Sequence, residues 1–167
     1  MNYGRYALAL GLLVCGSAKA AEAPLVDHWS EPVVQRVLES LNTSVLQQTT
    51  LAGGPGLLAR TRDGLSFGVY AKACSPAAAP AQPYCRGVEG IASFDPGRGA
   101  DRAALVDRLN RQYAAGKFMA EADGSIRLTR YIDVDAGVSE ANLRAQLGEF
   151  IALAEATTDA VWSAPTR

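Results

Sequence analysis

The chain has 167 residues and a net charge of −1 at pH 7; 49% of its residues are hydrophobic and 20% charged. That suits one globular domain and lacks the basic excess that a nucleic-acid binder needs.

The N-terminus reads MNYGRYALALGLLVCGSAKA. Arg5 is a short basic lead, Tyr6 to Cys15 is apolar apart from Gly11, and Ala18-Lys19-Ala20 has the small-x-small pattern of a cleavage site. These features predict a secretory signal over residues 1–20, cut between Ala20 and Ala21, and too short for a membrane span. A lipoprotein signal cut before Cys15 is disfavoured, because Val14 stands where a small residue is usual. No later segment is apolar enough to cross a bilayer. The mature chain would keep a net charge of −3, since Arg5 and Lys19 leave with the signal, and would be periplasmic or secreted.

Residues 21–29 read as a flexible lead. SEPVVQRVLESLN then predicts a helix, with Ser30 as cap, Pro32 in the first turn and Val33, Val34, Val37, Leu38 and Leu41 on one face. TSVLQQTTL is β-leaning, and GGPG reads as a chain break. The glycines are no phosphate loop, because no Lys-Ser/Thr follows. GLLARTRDGLSFGVYAKAC predicts two strands joined at Asp63-Gly64, a dipeptide suited to a type I′ turn. Leu65, Phe67, Val69 and Ala71 alternate on one face of the second.

Cys74 and Cys85 bracket ten residues, SPAAAPAQPY. In an oxidising compartment an even pair favours a disulfide. Zinc would need four ligands, and the single histidine, His28, is far away in sequence. A redox pair would more usually be two residues apart. The bridge would tie the base of a long hairpin loop, worth about 3 kcal/mol by chain entropy. Val88 to Phe94 predicts a strand, and DPGRG a turn. DRAALVDRLNRQYAAG predicts a helix capped by Asp101, burying Leu105, Val106 and Leu109 and stopping near Gly116. KFMAEADGSIRLTRYIDV predicts a hairpin around Asp123-Gly124. Ser139 caps a last helix reaching about Trp162, with Leu143, Leu147, Phe150, Ile151 and Ala154 on one face. Residues 163–167 form a tail.

Consecutive strands with tight turns imply an antiparallel sheet. The expected fold is α+β: five to six strands flanked by three helices, in one domain over residues 30–162.

Four stretches, in order, resemble the YbjN family, the so-called bacterial sensory transduction regulators, whose fold is that of type III secretion chaperones. They are Asp63-Gly64 with LSFGVYAKAC, Cys85 leading into GVEGIASFD, LNRQYAAGKFMAEADGSIRL, and DAGVSEANL. In the third, Leu109-Asn110, Lys117-Phe118 and Asp123-Gly124 stand at the family spacing; Gln112-Tyr113 replaces a Trp-Asn common in relatives. The resemblance spans roughly Ser30 to Glu155. It implies a type III secretion chaperone-like sheet, often dimeric, with a binding or regulatory role, and it supplies no catalytic residue.

The residues themselves offer little chemistry. A Ser-His-Asp triad would have to use His28, and no G-x-S-x-G elbow exists. Asp133, Asp135 and Glu140 miss the EF-hand pattern and read as a strand end and a helix first turn. Arg60, Arg62, Arg127 and Arg130 lie on two hairpins and would form a basic strip if those strands were neighbours; otherwise they line a solvated face. Tyr113, Phe118 and Met119 suit either an apolar binding surface or, more commonly, core. The reading is a non-enzymatic exported binding or regulatory module, chaperone-like, with a protein partner, a possible homodimer and no cofactor, metal, nucleic acid or membrane. The alternatives are a small periplasmic hydrolase or enzyme inhibitor, or a small-ligand carrier.

Overall fold

The structure is a computed structural model that describes residues 24–51, 54–76, 84–97 and 99–162. The expected signal with its Ala20–Ala21 cleavage, Cys15, the interior of the cysteine loop and the C-terminal tail lie outside the described residues.

In chain order the elements are β1 (Leu25–Val26), α1 (Glu31–Ser40), β2 (Thr43–Leu51), β3 (Gly54–Thr61), β4 (Ser66–Cys74), β5 (Cys85–Phe94), α2 (Arg102–Gln112), β6 (Lys117–Ala120), β7 (Ile126–Asp133), β8 (Val138–Ser139) and α3 (Glu140–Trp162). Six strands form one antiparallel sheet in the order β2-β3-β4-β5-β7-β6, and β1 pairs with β8 in a separate ribbon. The fold is α+β, as the tight turns predict.

Register decides which residues meet the helices. Leu57 pairs with Val69, Ala71 with Val88, Ala92 with Leu128, and Leu128 with Phe118. These positions share one face, because side chains alternate along each strand. They join Val34, Val37 and Leu38 of α1, Leu105 and Leu109 of α2, and Leu143, Leu147 and Phe150 of α3 in one buried core. Phe150 meets Phe67 edge to face at 5.8 Å and lies over Gly90, where a Cβ would come within 2.8 Å of its ring. The caps act as expected at two helices: Asp101 accepts from the Ala104 N–H at 3.1 Å and Ser139 from the Asn142 N–H at 3.1 Å. Ser30 stands at the start of α1 but its side chain makes no capping hydrogen bond.

Several local expectations are corrected. GGPG is not a break throughout, since Gly54, Pro55 and Gly56 belong to β3. The ladder with β4 begins at Gly56, so the missing N–H of Pro55 falls outside it. The Asp63-Gly64 turn is not type I′, which would need positive φ at both residues. Only Gly64 has it, at 94°, while the Gly64 N–H donates to Thr61 O and the Thr61 N–H to Leu65 O. That is a three-residue loop closed by a glycine bulge. Gly124 repeats the arrangement at φ 89°. α2 ends at Gln112, well before Gly116. Gly116 is required for space: a Cβ there would approach Leu128 at 2.5 Å and Leu153 at 2.7 Å. The expected flexible lead is docked from Leu25 on, for Val26 and Trp29 are buried and the Trp29 N–H donates to Cys85 O at 2.7 Å.

Candidate functional site

α1 and α3 cover one face of the six-stranded sheet. α2 runs beside the edge strand β6, where Asn110 donates to and accepts from the backbone of Phe118. None of the three helices packs on the opposite face. It carries Leu58 and Arg60 of β3, Ser66, Gly68, Tyr70 and Lys72 of β4, Gly87, Glu89, Ile91 and Ser93 of β5, and Arg127, Thr129 and Tyr131 of β7.

Glycines shape this face. A Cβ on Gly56 or Gly68 would overlap the ring of Tyr70, and one on Gly87 would overlap the ring of Tyr131. Both tyrosines therefore lie flat along the sheet. Tyr70 is nearly buried by this arrangement, whereas Tyr131 stays 50% exposed. Between them Lys72 Nζ and Glu89 Oε2 pair at 3.0 Å.

Two hollows mark the face. One, of about 420 Å³, is lined by Leu46, Leu58, Arg60, Ser66, Tyr70 and Ile91. Leu46 is the extra residue of a bulge between Val45 and Gln47 and is 51% exposed. The other, of about 800 Å³, lies where β6 begins beside β7 and is bordered by Glu89, Lys117, Met119, Thr129, Tyr131 and Glu149.

The four arginines make no strip. β4 and β5 separate β3 from β7, and Arg62 lies in the turn after β3. Arg130 turns toward the helices, donates to Ala115 O at 2.5 Å and pairs with Glu149 at 2.7 Å. Arg127 Nε sits 3.2 Å from Glu121 Oε1. Arg60 instead donates to the Ser66 hydroxyl at 3.1 Å, and neither Arg60 nor Arg62 makes an ion pair with a described residue. Phe118 is 2% exposed and belongs to the core, so it lines no binding surface; Tyr113 packs half-buried against it, ring centroids 6.2 Å apart.

The remaining candidates are placed as follows. The exposed imidazole of His28 bonds Asp27 and stacks on Tyr84, centroids 5.3 Å apart. Among the described residues no serine hydroxyl bonds it. Asp133 accepts from the Asp135 N–H at 3.0 Å, Asp135 pairs with Arg86 at 3.4 Å, and Glu140 pairs with Arg36 at 2.8 Å. Asp135 falls after the strand, so the two aspartates are not strand neighbours. No group of three or more potential metal ligands occurs among the described residues. Cys74 and Cys85 are disulfide-bonded and stand opposite each other in register.

The sequence predicts an exposed sheet face opposite the core but not which side chains line it, because strand order decides which of them become neighbours. The strand glycines were the available signal, since glycine inside a strand marks close approach.

The family model of YbjN, described as "Putative bacterial sensory transduction regulator", matches residues 34–161. Among solved structures the chain is similar to YbjN from E. coli at 15% identity, covering 82% of this chain and 91% of that one, with a TM-score of 0.49. It is also similar to a chain of the HopA1-SchA chaperone–effector complex at 11% identity, covering 77% and 92%, with a TM-score of 0.49. No curated protein matches.

Proposed function

The chain belongs to the YbjN family, and on that footing we propose that it is an exported, non-enzymatic binding module that regulates or shelters a protein partner through the open face of its sheet. One observation carries this reading. Among the described residues the three helices lie on the other face, and this one carries exposed Leu46 and Tyr131 and an Arg60 that bonds the Ser66 hydroxyl and no acid. Aromatic and arginine side chains of this kind are enriched among interface anchors. Export is supported by the basic, apolar and small-residue order of residues 1–20 and by the Cys74–Cys85 bridge, which suits an oxidising compartment.

The test is capture of the mature protein, tagged at its C-terminus, from periplasmic extract, in three forms: unaltered, Tyr131→Asp on the open face, and Arg144→Glu on the exposed side of α3. A stoichiometric protein retained by the unaltered and α3 forms and lost from the Tyr131 form is the expected result. No partner with any form, together with an intact mass that retains residues 1–20, would overturn both halves of the proposal. Light scattering on the same samples reports whether the free protein is a dimer.

A further inference from the structure

We infer that the Cys74–Cys85 bridge is a redox switch for the segment leading into α1: a dithiol opens it in the folded protein, and residues 25–29 then lose their hold on the end of β5. The pair is the substrate of thiol exchange and not its catalyst.

The first observation is backbone strain beside the bridge. Among the described residues, Asn42 at 58° and Ala73 at 51° are the residues other than glycine with positive φ. Asparagine visits that region readily, whereas alanine meets a penalty of roughly tenfold in an equilibrium constant. Ala73 is exposed, so burial of its side chain does not offset the penalty. It stands where the ladder fails: Lys72 pairs with Gly87 and Cys74 with Cys85, with no Ala73–Arg86 pair between them. The α-carbons of Cys74 and Cys85 are 3.8 Å apart, closer than the about 4.5 Å of the narrow pairs in an antiparallel ladder. The strand ends are drawn together here, and Ala73 turns over to allow it. Opening the bridge removes that demand, and strained or exposed disulfides are the more easily reduced ones.

The second is access. Cys74 is part-buried and Cys85 is 1% exposed. An incoming thiolate therefore meets Cys74 first. Its sulfur bonds Cys74 Sγ, the bond between the two cysteines breaks, and Cys85 leaves as a thiolate that takes up a proton. The second thiol of the reductant, losing its proton, then displaces Cys74, which is protonated in turn. Two protein thiols form and the reductant ends as a disulfide.

The third is what hangs on this strand end. The Trp29 N–H donates to Cys85 O at 2.7 Å, and the Tyr84 hydroxyl donates to Asp27 O at 3.1 Å while its ring stacks on His28. Tyr84 is itself held across the hairpin, where its carbonyl accepts from the Ser75 N–H at 2.8 Å. Beyond these ties, residues 25–29 are held by the two-residue β1–β8 ribbon and by the burial of Val26 and Trp29. The β4–β5 ladder from Gly68 to Lys72 does not depend on the bridge for its register. Opening the bridge therefore loosens the segment before α1 and leaves the six-stranded sheet in place.

The experiment equilibrates the protein with reduced and oxidised glutathione, two glutathione thiols standing in for the dithiol, without denaturant. Alkylation and peptide mapping then follow the Cys74–Cys85 pair apart from Cys15. The expected result is a pair half-reduced within the glutathione range, where unstrained structural bridges stay closed. Ala73→Gly accepts positive φ without penalty and should shift the equilibrium about tenfold toward the disulfide, or about 30 mV. Ala73→Val should shift it the other way. Hydrogen exchange on the reduced protein should speed the Trp29 amide at least tenfold while the amides of Val69 and Leu128 stay protected. A pair that opens only in denaturant overturns the switch, and an equilibrium indifferent to both Ala73 variants overturns the strain as its cause. Loss of protection at Val69 and Leu128 together with Trp29 would mark a staple whose opening unfolds the domain. Unchanged Trp29 exchange would mark a bridge that does not govern the segment before α1. Either of these two results overturns the proposal.

Discussion

The side chain of Asn110 closes two hydrogen bonds on the free edge of β6: its amide nitrogen donates to Phe118 O at 3.0 Å and its oxygen accepts from the Phe118 N–H at 2.9 Å. This pairing substitutes for a missing strand and accounts for Leu109-Asn110 and Lys117-Phe118 standing at fixed spacing. Asn110→Leu keeps the branched outline of the side chain and leaves a part-buried donor and acceptor without their partner, so a loss of about 1–3 kcal/mol is expected in urea unfolding, with the slope unchanged. The carboxylates act differently. The Arg36 guanidinium, by hydrogen bond first and by charge second, holds Glu140 below its ordinary 4.5. The Ser125 N–H, then its hydroxyl, holds Asp123 below its ordinary 3.8. A carboxyl group whose folded value is depressed favours folding where it is ionised in the unfolded chain as well. That contribution is therefore present above the ordinary values and is lost as pH falls through the still lower folded ones. Arg36→Ala should bring the Glu140 titration back toward 4.5 by side-chain carboxyl NMR; an unmoved titration would show that the pair does not form in solution.

Both DG hairpins close through a glycine in the left-handed region, at φ 94° for Gly64 and 89° for Gly124. Gly124→Ala meets that backbone penalty and also brings a Cβ to 3.1 Å from the Arg102 guanidinium, whose Nε donates to Gly124 O at 2.5 Å. A thermal midpoint lowered by the equivalent of about 1–2 kcal/mol is expected. The positions of these turns were readable because glycine after aspartate is a local signal. Their type was not, since it depends on whether Asp63 joins the glycine at positive φ, and the strand ends decide that. Helix α3 was legible to its last residue, because a cap at Ser139 and an apolar repeat are both local. The order of strands was not: the arginine strip required β3 beside β7, and a hairpin pattern fixes only the pairs within each hairpin. Likewise Gly54-Pro55-Gly56 looks like a break in composition, yet it continues a strand because Ala71 and Tyr70 approach so closely that only glycine fits beside them.

The disulfide joins these local features into one unit. Cys74 and Cys85 close the β4–β5 hairpin at the center of the sheet, and the Cys85 carbonyl accepts from Trp29, so the lead to α1 is tied to the same strand end. Tyr84 adds to the tie, donating to Asp27 O at 3.1 Å and stacking on His28. Removing the bridge frees an 11-residue separation in the unfolded chain, worth about 3 kcal/mol by loop entropy. Cys74→Ser with Cys85→Ser should therefore lower stability by about that amount. Further loss should appear as easier exchange of the Trp29 amide, because its acceptor sits on the strand end that the bridge fixes. Protein from which residues 1–20 have been removed, as proposed, should show no thiol with Ellman's reagent until reduced and two afterwards. If the double variant kept the parent's stability and Trp29 protection, the bridge would be a passive crosslink. The lead and α1 would then be held by their own burial, Val26, Trp29, Val34 and Leu38 against the core, and not through β5.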